Sequence, residues 1–316
     1  MKVHDTRTGL PRRFVHRAAA YRDMGNLLAT AVPLVEQARR RDAPVALILP
    51  PATERLVRAA VGSTGLVRLP EVEPHLRMSG QTVAARRARE LRELTDRAGP
   101  VTVLAQHDPD SGLDVPAWVE ADAAMNIAFA SMPVTMTCFY RDLLDPVLAT
   151  AARHNHSRLL DHDGAVRDNP DHREPAEVLA AYPVPAAPGL GRPDRELTFT
   201  PWQLTELRAA VVDAARCAWL GGERAEDFVL AVNEVAGNAV EHGYGTGLLQ
   251  VWLRPDMLIC ELHDAGVLGE PLPGLRPPHP ADARGRGLWI ARQLCDLLHV
   301  WVDQDGTHVR LQVARG

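Results

Sequence analysis

The chain is almost without lysine: Lys2 is the only one in 316 residues, and arginine carries nearly all the positive charge. A phosphate-binding loop of the Gly-x-x-x-x-Gly-Lys-Ser/Thr kind is absent, so chemistry that depends on that lysine is excluded. Any cationic side-chain contact to phosphate then falls to arginine. Arg284 and Arg286, on either side of Gly285, are the nearest candidates, and a solvated surface role accounts for them equally well. Cysteine is also scarce. Cys138, Cys217, Cys260 and Cys295 form no Cys-x-x-Cys and no zinc spacing, and read as reduced, buried thiols of a cytoplasmic protein.

Basic excess is missing too. A net charge of −5 argues against binding along a nucleic-acid backbone. The clusters Arg39-Arg40-Arg41 and Arg86-Arg87 read as solvated helix faces. Met1 to Arg13 is polar and gives no signal peptide. Ala123 to Tyr140 is uncharged and nearly long enough to span a bilayer, but Pro133 divides it and Asn126, Ser131, Thr135 and Thr137 are polar. A buried helix followed by a buried strand explains it, so no membrane contact is expected.

Hydrophobic content of 46% and charged content of 24% are those of a globular chain long enough for two cores. Up to about residue 170, short apolar runs (Val45–Leu49, Val101–Ala105, Val134–Tyr140) alternate with helical patterns near 24–41, 53–61, 82–98 and 117–130. That alternation predicts a mainly parallel α/β sheet. From about Asp168 to Glu196 six prolines and two glycines read as an interdomain linker. Beyond it lie an amphipathic helix from Pro201 to Ala218, a second helix through Glu234, and strands near 247–253 and 257–264. A Pro/Gly-rich loop from Val267 to Ala283 leads to a helix over Gly285–Leu298. The hairpin across Asp305-Gly306 alternates Val300 and Val302 against Val309, Leu311 and Val313. The fold class is α/β throughout: a parallel-sheet domain, then an α/β sandwich with helices on one sheet face. The boundaries are 1–170, a linker at 171–196, and 197–316.

Three motifs carry chemistry. On a helix, Glu234, Asn238 and His242 share one face at spacing i, i+4, i+8. A carboxylate can orient or deprotonate a hydroxyl, and a carboxamide oxygen one turn away suits a hard cation such as Mg²⁺. An ordinary helix with a polar edge, capped by Gly243, is the plainer reading. The apolar strand Leu258–Leu262 runs into Asp264-Ala265-Gly266. Gly285-Arg286-Gly287 then opens a helix whose N-terminal N–H groups attract anions. The three in this order within about 60 residues make a specific combination. Two histidine groups are less specific: His154, His156 and His162 beside Asp161 and Asp163 read as solvated loop residues, and His16 as a strand-end residue.

The C-terminal 120 residues or so resemble the GHKL (Bergerat-fold) ATPases, closest to the anti-sigma regulatory factor serine/threonine kinases. The resemblance implies ATP and Mg²⁺ as cofactors. It makes Glu234 the catalytic acid/base and Asn238 the Mg²⁺ ligand. Asp264 would accept from the adenine amino group, Gly266 would pass close to the base, and Gly285 and Gly287 would cradle the phosphates. Thr307 is a weaker adenine candidate. One departure stands out: the family reads Asp-x-Gly-x-Gly, whereas here the second glycine, Gly269, comes one place late. The proline-rich loop occupies the family's ATP-lid position, where ordering on nucleotide would explain its length.

In the N-terminal part, Phe14–Asp23, Pro44–Pro51 and Glu120–Asn126 resemble the MEDS sensory domain, which looks like a degenerate RecA/KaiC-type fold without a phosphate-binding loop. Together the resemblances imply a cytoplasmic regulator that senses a signal at its N-terminal domain. Its kinase domain would phosphorylate a STAS-type anti-anti-sigma protein and control a sigma factor by partner switching, with a homodimer as the family's habit. The alternative is a non-catalytic, nucleotide-dependent switch that sequesters a sigma factor or another regulator. A histidine kinase ranks below both, because no histidine stands on a long dimerisation helix before the ATP-binding region.

Overall fold

The computed structural model describes residues 13–70, 79–107, 114–142, 145–161, 163–279 and 285–315. They divide into two compact units, Met1–Arg77 with Arg86–Ala181, and Met78–Ala85 with Tyr182–Gly316.

The first unit is built on a seven-stranded sheet. Its strands are β1 (Val15–Tyr21), β2 (Val45–Ile48), β3 (Leu66–Arg68), β4 (Val101–Gln106), β5 (Val134–Arg141), β6 (Arg158–Leu160) and β7 (Val166–Asp168), in the order β3-β2-β4-β5-β1-β6-β7. Every neighbouring pair is parallel except the β6–β7 hairpin. Helices α1 (Met24–Arg39), α2 (Pro51–Val61), α3 (Gly80–Ala98), α4 (Val115–Ala128), α5 (Pro146–Asn155) and α6 (Pro175–Ala181) connect or follow the strands. Local chemistry sets their starts. Asp23, Asp114 and Asp145 cap α1, α4 and α5 by accepting from the backbone N–H groups of Asn26, Ala117 and Val147. Pro51, Pro116 and Pro146 occupy first-turn positions where no N–H is needed.

The three apolar runs are β2, β4 and β5, and the Ala123–Tyr140 stretch is the end of α4 followed by β5. Strand β1 carries its own part of the sheet centre, between β5 and β6, although its alanines and its polar His16 and Arg17 give little strand pattern. The proline-rich stretch is not linker throughout. It contains α6, with Val178 and Leu179 buried.

The second unit has an antiparallel sheet in the order β11-β12-β10-β9-β8. Its elements are β8 (Arg195–Phe199), a 3₁₀ turn at Pro201–Gln203, α7 (Leu204–Cys217), α8 (Gly222–His242), β9 (Gly247–Leu253), β10 (Met257–Asp264), α9 (Gly287–Leu294), β11 (Leu297–Asp303) and β12 (Gly306–Ala314). One sheet face supplies Leu249, Val251, Leu258, Cys260, Leu262, Leu298, Val300, Val309, Leu311 and Val313 to a core shared with Leu207, Val211, Phe228, Val232, Val235 and Ala291 of the helices. Fully burying each large side chain there contributes about 1.5–3 kcal/mol before entropy is counted. The helix expected to reach Leu298 stops at Leu294. Cys295 turns extended, and Leu298 pairs with Leu311 in the hairpin. Its helical spacing from Leu294 also suits the alternation of a strand. Val302 lies opposite Thr307 and is exposed, so the buried part of β11 ends at Trp301.

The opposite sheet face is polar but buried, and residues 182–191 supply many of its partners. Arg310 donates from Nε and Nη2 to Glu261 Oε2 at 2.9 and 2.6 Å, and from Nη1 to the Pro188 carbonyl at 2.7 Å. Trp252 Nε1 donates to Gly191 O and Arg254 Nη2 to Leu190 O. The His308 ring nitrogens lie 3.5 Å from Glu261 Oε1 and 3.2 Å from Asp303 Oδ2. Burial opposes charging that ring, but the two carboxylates outweigh it and raise its pKa.

His299 behaves oppositely. Its Nε2–H donates to the Pro185 carbonyl at 2.8 Å, leaving Nδ1 to accept from Gln81 Nε2 at 3.2 Å, with Ser79 Oγ at 2.9 Å. Burial, then the pull of the Pro185 carbonyl against it and the repulsion of Arg292 and Arg310, leaves the ring with a pKa of about 4. An unfolded histidine titrates near ~6.5. Below that pH the unfolded chain takes up a proton that the folded ring refuses, so stability falls as pH drops from ~6.5 toward 4. The His299→Gln variant keeps a donor and an acceptor but cannot titrate. Urea midpoints measured from pH 7 to pH 5 are expected to fall less steeply for it than for the wild type, and equal slopes would remove His299 as a source of acid sensitivity.

Candidate functional site

Helix α8 presents Glu234 and Asn238 half-buried on one face, while His242 at its end is exposed. Against that face stands Gly287, the first residue of α9. A methyl group on Gly287 would lie 2.8 Å from Glu234 Oε2 and 3.2 Å from Asn238 Nδ2. The structure therefore joins a carboxylate, a carboxamide and a helix N-terminus at one place. Gly285 is not part of that contact. It is exposed with φ +79°, and a side chain there would meet nothing within 4 Å, so its glycine serves the turn into α9. Arg286 is exposed beside it, and Arg284 lies outside the described residues.

A second group forms at the end of β10. Asp264 Oδ1 accepts from the Gly266 N–H at 2.8 Å. Thr307, opposite Asp264 in the ladder, donates its hydroxyl to the Gly266 carbonyl at 2.9 Å. Its donor thereby holds the turn rather than standing ready for a base. Burial raises the pKa of Asp264, with the Gly266 N–H and the nearby His263, His242 and His308 opposing. Gly243 caps α8 and lets this turn close in: a side chain there would fall 2.5 Å from Asp264 Oδ1, and one on Gly266 would fall 2.5 Å from the His242 carbonyl. The sequence offers Gly243 only as a helix cap. Its second task, admitting Asp264, depends on a residue 21 positions later. The Asp264 group and the Glu234 group thus sit along the same helix, with Asn238 and Gly243 about 7.5 Å apart in rise.

The loop between β10 and α9 has no regular structure among its described residues, but it is anchored. Leu272 and Leu275 are buried, and Arg292 Nε donates to the Pro273 carbonyl at 3.0 Å. Gly274, at φ +76°, packs so closely on Leu288 and Trp289 that a side chain would clash at 2.7–2.8 Å. Where the expected pattern would place its second glycine, Leu268 packs against the core. Gly269 itself touches nothing that would require a glycine.

Three histidine and cysteine readings need correcting. His156 is fully buried rather than solvated, because it closes α5 and turns inward, and His162 lies outside the described residues. His16 is buried within β1 rather than at a strand end. Cys217 is exposed, while Cys138, Cys260 and Cys295 are buried.

Residues 197–313 match the family of the histidine kinase-like ATPase domain. The match begins in β8 and ends in β12, so it takes in both groups along α8. ATPase domains of this GHKL type bind ATP, typically with Mg²⁺. The donor set fits such a group: a carboxamide oxygen for a hard cation, a carboxylate one turn away, and a glycine that keeps the space above both open. No curated protein matches the chain. Among the described residues no helix is long and apolar enough to cross a membrane.

Gly287→Ala tests whether that open space matters. The methyl group would meet the mobile end of Glu234 rather than backbone, so the fold should survive with a melting temperature near that of the wild type. Calorimetric affinity for MgATP should drop at least tenfold. Unchanged affinity would show that ligand does not use the space between Gly287 and Glu234.

Proposed function

We propose that the chain is an ATP-dependent regulatory serine/threonine kinase of the anti-sigma-factor type, with its N-terminal unit serving as a MEDS-type sensory domain. The observation that carries this reading is the meeting of Glu234, Asn238 and the N-terminus of α9 inside a histidine kinase-like ATPase domain. Bound MgATP would supply the phosphoryl group. Asn238 offers its amide oxygen to the cation, and the backbone at Gly287 offers N–H groups to phosphate. Glu234 orients the attacking hydroxyl and takes its proton. Asp264 accepts from the adenine amino group, with Gly266 and Thr307 holding its turn. A histidine-kinase reading is less well supported: α6, which precedes β8, is seven residues long and contains no histidine. The partners in this proposal are a STAS-type anti-anti-sigma protein as phosphoacceptor and a sigma factor as the regulated protein, in a cytoplasmic homodimer.

A second reading, a nucleotide-dependent switch without catalysis, is favoured by Leu268 standing where the second glycine belongs. Glu234→Ala separates the two. In single-turnover assays with labelled ATP and candidate STAS proteins, the variant should keep nucleotide binding and lose about 10²-fold or more in phosphotransfer. Normal phosphotransfer would overturn the assignment of Glu234. Normal partner regulation without any transfer, in variant and wild type alike, would favour the switch.

Asp264→Asn addresses recognition of the base. Replacing the carboxylate by a carboxamide should weaken ATP binding by about 1.5–3 kcal/mol, the scale of a hydrogen bond to a charged group. Competition binding should show a smaller preference for ATP over GTP. A wild type that binds both equally would mean that Asp264 does not read the base.

A further inference from the structure

The first unit buries four groups of metal-ligand type at one point: His16 on β1, Asp122 on α4, Cys138 on β5 and His156 at the end of α5. Their ligand atoms all lie within 4.8 Å of one another, and each residue is at most 4% exposed. His16 Nε2 is already 3.3 Å from Cys138 Sγ, and the two imidazole centroids are 3.9 Å apart. Parallel pairing of β1 with β5 sets Ala18 opposite Cys138, which places His16 and Cys138 diagonally on the same sheet face.

The hydrogen bonds around the cluster orient both rings. Asn126 Nδ2 donates to the Asn155 carbonyl at 2.7 Å, which turns its Oδ1 toward His16. His16 Nδ1–H therefore donates to Asn126 Oδ1 at 3.0 Å, and the lone pair is on Nε2. His156 Nδ1–H donates to the Ala152 carbonyl at 2.6 Å, which again leaves the lone pair on Nε2. That His156 Nε2 is buried with no hydrogen-bond partner. Tyr140 donates to Asp122 Oδ2 at 2.6 Å, as a carboxylate ligand is commonly supported. Buried polar groups of this kind are costly unless they are paired.

We propose that His16, Asp122, Cys138 and His156 form a tetrahedral site for one divalent cation of zinc type. Two neutral imidazoles, one thiolate and one carboxylate balance the charge of a divalent ion, so the assembled site would be neutral in its buried setting. The mixed N, S and O donors select a borderline ion such as Zn²⁺ over Mg²⁺ or Ca²⁺. Tetrahedral bonds of about 2.0–2.3 Å place ligand atoms roughly 3.3–3.8 Å apart. The observed set needs only a small contraction to reach that spacing. The Cys138 thiol proton, and that of Asp122 where it is held, leave to solvent on binding. Tyr140 and Ala152, which support two of the ligands, also line a cavity of about 300 Å³.

The test uses the full-length protein, stripped by a chelator and titrated with Co²⁺ in the absence of nucleotide. One equivalent should bind and give tetrahedral d–d absorption with a thiolate-to-cobalt charge-transfer band, both displaced by Zn²⁺. Cys138→Ser should lose the band, whereas Cys217→Ser, which removes the exposed thiol, should retain it. Asn126→Ala, checked for folding by circular dichroism, should weaken binding about 10- to 100-fold, the usual effect of losing a support to a ligand. Failure of the folded wild type to bind stoichiometric metal would overturn the site. So would a band that survives Cys138→Ser or vanishes in Cys217→Ser.

Discussion

The candidate nucleotide site rests on the close packing of α8 against two other segments. At one end Gly287 brings the start of α9 against Glu234 and Asn238, and at the other Gly243 and Gly266 bring the Asp264 turn against the helix terminus. At Gly266 the nearest atoms include backbone, the His242 carbonyl and Gly243 Cα, whereas at Gly287 they are the side chains of Glu234 and Asn238. Both halves of the site lie along one helix. Gly306 adds to this, since a side chain there would meet the Asp264 carbonyl at 2.1 Å. The hairpin turn, the end of β10 and the cap of α8 are therefore one packed body.

Much of this was legible in the sequence, because helical spacing is local. Glu234 and Asn238 are four residues apart, and any helix places them on one face. The apolar runs of β2, β4 and β5 were equally plain, since strands covered on both sides need little else. The polar part of the sheet centre was not. Strand β1 takes its place between β5 and β6 through pairing, and its alanine-rich sequence carries no alternation to announce it. The end of α9 is ambiguous in the sequence for a related reason, as Leu298 satisfies a helical and a strand pattern equally.

The His16, Asp122, Cys138 and His156 cluster was beyond reach of spacing rules. Its members come from two strands and two helices, separated by as much as 140 positions, and parallel crossovers alone bring them together. Each residue taken singly has an ordinary explanation. Only the hydrogen bonds that point both imidazole lone pairs inward distinguish the group from a set of buried polar side chains. Thr307 shows the converse: it stands opposite Asp264 in the ladder, but its hydroxyl is committed to the Gly266 carbonyl.

The sheet of the ATPase domain has its second face closed by the chain that leads into it. Backbone carbonyls of Pro185, Pro188, Leu190 and Gly191 receive hydrogen bonds from His299, Arg310, Arg254 and Trp252. All four lie before residue 197, where the family match begins. The evolutionary module and the physical folding module therefore differ in extent. A fragment cut at the family boundary would uncover two guanidiniums, an imidazole and an indole together, a surface prone to self-association. A recombinant version of this domain needs the proline-rich residues as part of its own architecture.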